Sequence, residues 1–394
     1  MAASTNFLVS EDQLLQEEAR RKKAELTKTF GSPIQLSGNA LAIQLRGNYA
    51  WIAENTSFAR QIDLETGKTL KTFKGHTGPL ATLAFYDKTD GDILITGSWD
   101  KTIKFWDTQT AELLSSTDAH TDFVKSLLVL PSPQLLISGG SDKIVRLWDL
   151  STPHQRQPLR SIASISSHRR PVECLAAKDS SATSATLFSA DTMGVVKIWS
   201  AVKDHESWKI TVQKELAIHQ GRVNEIFYGN GQLWTASEDK TVQVLLDASI
   251  TSKSLPEIKH PEYVKSILPL FLTDLAEPYL LTGAGDTIRV YDVSSLEEPE
   301  FIREVVGHWR EVIAIRLWFR KCTSDSKKSY IEPWIVSASL DNTIRRWKLS
   351  ELLTPIPVSP ATVEPIEAVR EMAPSFQVSE EEERELAALL ESDQ

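Results

Sequence analysis

The chain has 394 residues, 41% hydrophobic and 24% charged, and its two cysteines, Cys174 and Cys322, exclude a disulfide scaffold or a multi-cysteine zinc module. No apolar run approaches the roughly 18 residues of a membrane helix, and charge from Glu11 onward replaces the apolar block of a signal peptide, so an intracellular protein of cytoplasm or nucleus is expected, with no membrane contact. Of the net charge of −10, residues 361–394 carry −8 (ten acids, two arginines) and residues 1–32 carry none (five acids, five bases). The body is left with only −2, without the clustered Lys and Arg that phosphate-backbone binding needs, and direct nucleic-acid binding is not expected.

From the N-terminus, Ser10 with Gln13 makes a capping box and Gly31 can stop the helix, which predicts a charged helix over 11–29. Its thin apolar stripe, Leu15, Ala19 and Leu26, is expected to lie against the body beside a short strand at 33–37. Four strands follow at 40–45, 49–53, 58–63 and 69–73, ending in Lys74-Gly75-His76. A pattern then recurs six times. His76, His120, His168, His219, His260 and His308 each precede Val or Leu by four residues and Leu or Ile by seven. Further on, an apolar stretch reaches Ser or Thr: Thr96, Ser138, Ser189, Thr235, Thr282 and Ser337. Four residues later stands Asp100, Asp142, Asp239, Asp286 or Asp341, with Met193 in the fourth unit. Trp106, Trp148, Trp199 or Trp347 comes six residues after that. Leu245 takes the place in the fifth unit, and Tyr291, after one deletion, in the sixth. The first unit keeps Asp63 but carries Ile62 where Trp would stand. In the last unit the polar stretch 321–333 reads as a mobile loop, and no fourth strand follows Ile344.

Units of about 42 to 55 residues with four short strands are the signature of a propeller blade. Gly75-His76 through Trp106-Asp107, and Ser138-Gly-Gly-Ser-Asp-Lys-Ile-Val-Arg-Leu-Trp-Asp149, resemble the WD40-repeat family over residues 33–350. The expected fold is therefore all-β: a seven-bladed propeller over 33–352, with the strand at 33–37 supplying the missing outer strand of the last blade. Residues 1–32 form the helix, and 353–394 a Pro-rich linker and short acidic helix.

Recurring Asp, His and Ser look like a hydrolase triad, but a catalytic set is needed once and this one occurs six times with substitutions. The resemblance implies a structural relay, Trp to hydroxyl to His to Asp, in each blade. It is complete in His76/Thr96/Asp100/Trp106, His120/Ser138/Asp142/Trp148 and His308/Ser337/Asp341/Trp347, and the Met193 and Leu245 units are expected to be less rigid. No phosphate loop, metal-spaced set or nucleophile elbow is present; the reading is a non-enzyme with no catalytic residue, metal, cofactor or small-molecule substrate. His154 and His205 read as solvated.

In the family, partners bind on the face formed by the His loops and Asp turns. Aromatic and Arg anchors there are Trp99, Phe123, Arg169, Arg170, Arg222, Tyr263, Trp309 and Arg310. The four aromatics are expected to ring one end of the channel, with the arginines reading acidic or phosphorylated peptide. Leu386, Ala388, Leu389 and Leu390 form a small tail patch. Ala388-Leu-Leu-Glu-Ser392 partly resembles a ubiquitin-interacting motif, departing from it at Glu385. The function read from the chain is a scaffold or adaptor that assembles a multiprotein complex. The alternatives are a substrate receptor or ubiquitin-binding adaptor in the ubiquitin pathway, and a chromatin peptide reader. Against the receptor, no repeat ends in Trp-Asp-x-Arg; the endings are Trp106-Asp-Thr-Gln and Trp148-Asp-Leu-Ser.

Overall fold

The computed structural model describes residues 11–87, 92–151, 157–178, 181–205, 207–247, 255–323 and 329–354, without the side chains of 11–13, 16 and 323. The described residues make one compact unit. Its strands form seven four-stranded antiparallel sheets, six of them in simple chain order. These are blades 1 to 6, at 40–74, 80–118, 124–165, 172–217, 223–259 and 264–306. Blade 7 joins the three strands of 312–348 to Ile34–Gln35, which pairs antiparallel with Thr343–Lys348 through Ile34↔Ile344 and Gln35↔Thr343.

The burial of each strand follows its place in the blade. Ile93–Ser98 and Leu135–Gly140, second in their sheets, are buried along their whole length because neighbouring blades cover both faces. The outer strand Leu113–Asp118 alternates between exposed and buried. Each of seven apolar clusters is shared by two consecutive blades. Trp51 and Phe73 of blade 1 pack with Phe85 and Trp106 of blade 2, and so on round to Ile43 and Ile62 of blade 1 with Trp318 and Val336 of blade 7. That last cluster closes the ring.

Helix α1 runs Glu11–Leu26. Its apolar stripe does not face the propeller: Leu15 is 59% and Leu26 75% exposed. Polar contacts hold it instead. Lys23 Nζ lies 2.5 Å from Asp286 of blade 6. The buried guanidinium of Arg345 donates to the carbonyls of Thr27 (2.6 Å) and Phe30, and the Arg346 amide donates to the Gly31 carbonyl (2.6 Å). The turn that follows α1 has carbonyls to satisfy, and two arginines of the closing blade satisfy them. Of the stretch 321–333, expected to be a mobile loop, residues 321–323 and 329–333 are strand, and 324–328 lie outside the described residues. Val312–Thr323 and Ser329–Ser339 form one long hairpin, pairing Phe319 with Pro333 and Thr323 with Ser329. Its polarity reflects the hairpin's extension past the outer strands, since the next strand reaches only Trp334. The Pro-rich linker and tail patch lie outside the described residues, as does His154.

Gly31 has a left-handed φ of +62°, and a Cβ there would stand 2.4 Å from the Trp347 ring. Gly31→Ala is expected to lower unfolding stability by about 2–4 kcal/mol through backbone strain and overpacking at the seam, read as a shift in the urea midpoint.

Candidate functional site: the relay and the loop face

The His loops and Asp turns share one face, and there the recurring polar residues meet. In blade 2, Trp106 Nε1–H donates to Thr96 Oγ1 (2.8 Å), His76 Nε2 faces the same hydroxyl (2.8 Å), and His76 Nδ1 faces Asp100 Oδ2 (2.7 Å). A carboxylate only accepts, so Nδ1 carries the proton and Nε2 accepts from the hydroxyl. The same geometry links Trp148, Ser138, His120 and Asp142, and Trp347, Ser337, His308 and Asp341, all within 2.9 Å. The hydroxyl residues Thr96, Ser138, Ser189, Thr235, Thr282 and Ser337 are each 0% exposed, so no substrate carbonyl can approach them.

Blades 4 and 6 depart from the sequence reading, and blade 5 follows it. Blade 4 lacks no member. His168 Nδ1 meets Asp191 at 3.1 Å, Nε2 meets Ser189 at 2.7 Å, and Trp199 donates to Ser189 at 2.8 Å. Asp191 sits two residues before Met193, where blade 2 has Ser98. Its Oδ1 also takes the turn N–H groups of Met193 (2.9 Å) and Val195 (3.1 Å), work divided elsewhere between a serine and an aspartate. Met193 is exposed. Blade 5 joins His219 to Asp239 and Thr235, with Leu245 supplying no donor. In blade 6 His260 faces the Ile258 carbonyl (3.0 Å) and Thr282 (2.9 Å), not Asp286. The hairpin turn is one residue shorter, with Ala284 paired to Thr287, and Asp286 leaves the histidine for Lys23.

Burial pushes the imidazoles of His76, His120, His219 and His308 below their ordinary value, against the pull of the facing aspartates. Burial likewise brings His260, which faces a carbonyl, down to about 4. For Asp142 and Asp341 burial acts upward, but the imidazoles and hydrogen bonds hold them below the usual carboxylate range.

The loop-face anchors fall into separate groups. Trp99 and Phe123 stack at 5.0 Å and 14°, with Lys125 Nζ 5.7 Å from the Trp99 ring. Tyr263, Trp309 and Arg310 line a cleft of about 410 Å³ between blades 6 and 7 and α1, and the Arg310 guanidinium lies over the Trp309 ring at 5.2 Å. Arg169 and Arg170 are exposed, and Arg222 stands between Glu173 (4.0 Å) and Glu238 (3.8 Å). None of the four aromatics is among the residues that line the channel cavity. The channel cavity, about 440 Å³, is lined by inner-strand residues such as Lys125, Glu173, Glu225 and Arg316. Sequence reasoning missed Arg20 of α1 and the acids Glu262, Asp286 and Glu311 in the cleft wall. Only the ten charged residues among the first 32 hinted at a docked polar helix, and no local pattern gives its docking position. His205 is exposed in a turn, its side chain 95% accessible.

Comparison with known proteins agrees with this geometry. Residues 67–107 and 111–149 match the WD domain, G-beta repeat family. An uncharacterized WD repeat-containing protein of Schizosaccharomyces pombe is 30% identical over 360 residues, 87% of this chain and 89% of that protein. The chain belongs to the WD40-repeat family. Shorter likenesses are to a Periodic tryptophan protein 2 homolog of Schizosaccharomyces pombe, 33% identical over 81 residues (20% of this chain, 9% of that one), and to COMPASS component SWD3 of Saccharomyces cerevisiae, 43% over 58 residues (15% and 18%). WD40 membership accounts for the repeated relay and for the ring, and leaves the partner open.

Removing a relay member from this WD40 propeller leaves buried polar groups unpaired. Asp142→Ala, Trp148→Phe and Asp191→Ala should each cost on the order of 1–3 kcal/mol, whereas Met193→Ala should cost under about 0.5 kcal/mol; urea titrations would compare them. Because the folded histidines hold their protons less tightly than unfolded ones, the unfolded chain binds more protons below about pH 6.5. Stability is therefore full above that pH and falls on acidification, with the carboxyls adding a second loss below about pH 3.8. The urea midpoint should be lower at pH 5 than at pH 7, and His260→Gln should shrink that difference.

Proposed function

We propose that this protein is a non-enzymatic scaffold or adaptor of the cytoplasm or nucleus. It assembles a multiprotein complex by holding peptide segments of other proteins on its loop face, and uses no cofactor or small-molecule substrate. One contrast carries this reading. The recurring hydroxyls are 0% exposed and engaged within their blades, while Trp99 (38%) and Tyr263 (37%) from the same loops stand open to solvent. Large aromatics beside Arg are what a protein interface uses as anchors. The family supports a scaffold role, and one relative of short span is by name a component of a complex.

Affinity purification of the full chain, compared with the double variants Trp99→Ala/Phe123→Ala and Tyr263→Ala/Trp309→Ala, tests it. Partners should co-purify with the wild type, and at least one pair of substitutions should cut their recovery about tenfold without changing the melting temperature. An identical set of partners for all three proteins would remove the loop face from the assembly. Recovery of ligase subunits or of histones would give the complex its pathway.

A further inference from the structure

The cleft beneath α1 shows an imbalance of charge that specifies what it takes. Three carboxylates stand in its wall, and each has a cation: Asp286 has Lys23 at 2.5 Å, Glu311 has Lys265 at 3.3 Å, and Glu262 has Lys240 at 4.0 Å. Two arginines line the same cleft, Arg20 from α1 and Arg310 from the loop that enters blade 7. Both are exposed, and among the described residues neither has a carboxylate within ion-pair distance. The Tyr263 hydroxyl and Trp309 indole N–H, in the same wall, donate to no described residue.

We infer that this cleft receives a phosphorylated serine or threonine side chain of a partner protein, held between Arg20 and Arg310. This rests on the scaffold reading and names what its loop face recognises. A phosphoryl group brings about −1.5 to −2 charges at pH 7, the amount two unanswered guanidiniums match, and three acceptor oxygens for their planar donors. An aspartate would supply half that charge. The cavity of about 410 Å³ accommodates the group together with flanking backbone. α1 is then a wall of the site, and Lys23 with the Arg345 clamp sets the position of Arg20.

The test uses the full chain and bead-bound peptide pools, degenerate except for one fixed central residue: phosphoserine, serine, aspartate or lysine. The phosphoserine pool should retain about tenfold more protein than the serine pool, the worth of a charge-assisted contact. Arg20→Gln and Arg310→Gln should each reduce that retention by about tenfold, and Arg21→Gln, on the same helix but outside the cleft wall, should not. Equal melting temperatures confirm that the exposed substitutions leave the fold intact. Equal retention on phosphoserine and serine, preference for aspartate, or indifference to both cleft arginines would each overturn the inference. So would preference for lysine, the occupant that Glu262, Glu311 and the two aromatic faces would otherwise suit. If wild type keeps its co-purifying proteins yet fails on every pool, this site falls while the scaffold reading stands.

Discussion

A circular stack of sheets is only as firm as its one seam, because every other blade is joined to the next by continuous chain. Here the seam between blades 7 and 1 rests on a strand of two residues, Ile34–Gln35, whose backbone pairing alone is slight. Side chains reinforce it. Arg320 grips Glu65 of blade 1 through two nitrogens (2.8 and 2.9 Å). Arg346 reaches the Leu64 carbonyl, Trp318 Nε1 reaches Asn48 (3.4 Å), and Arg345 holds the turn after α1. Beneath these lies the apolar cluster of Ile34, Leu36, Ile43, Ile62, Leu64, Trp318 and Ile344, drawn from both ends of the propeller. Bidentate and carbonyl-directed arginines suit this place, since they satisfy a rim of otherwise unpaired backbone oxygen while their stems cover the cluster.

Once the ring is closed, blades 2, 3, 4 and 7 each bury a tryptophan, a hydroxyl and a histidine together. The hydroxyl is the pivot: it accepts from the indole and donates to the imidazole, which fixes the tautomer and turns Nδ1–H toward the acid. The atoms are those of a serine hydrolase, yet the oxygen that would attack is the least accessible of the set. Burial also lowers the affinity of most of these imidazoles for a proton. The relay thus ties a loop to a turn, and the loop tips are left to present Trp99, Phe123, Tyr263 and Trp309.

The propeller, the closing strand and the relay members were legible because each repeats or fills a gap in a repeat. What was not legible depended on distances between units. Asp191 is invisible to a fixed spacing, since it stands two residues early and reaches the same Nδ1 from the strand end. The stripe of Leu15, Ala19 and Leu26 suggested an apolar docking face, but a helix held by Lys23 and by its terminal carbonyls has no need of one. The polar residues 321–323 and 329–333 resembled a loop because strand pairing beyond a sheet's outer members shows little hydrophobic alternation. The four aromatics were known by type, but only the packing of blades divides them into a stacked pair and a cleft.

Blade 6 shows how a departure from the repeat can create a feature the regular pattern lacks. Removing one residue from its hairpin turn takes Asp286 away from His260, which compensates with a backbone carbonyl and lies against Tyr291 at 5.1 Å in place of a tryptophan. The released carboxylate is then free to bind Lys23, and that bond brings α1 over the face between blades 6 and 7. Had Asp286 kept its place in the relay, it would be buried beneath the loop as Asp341 is in blade 7, and α1 would lack this anchor. The shortened turn therefore converts one internal hydrogen bond into an external one. The cleft that holds Arg20 opposite Trp309 and Arg310 exists as a consequence of that exchange.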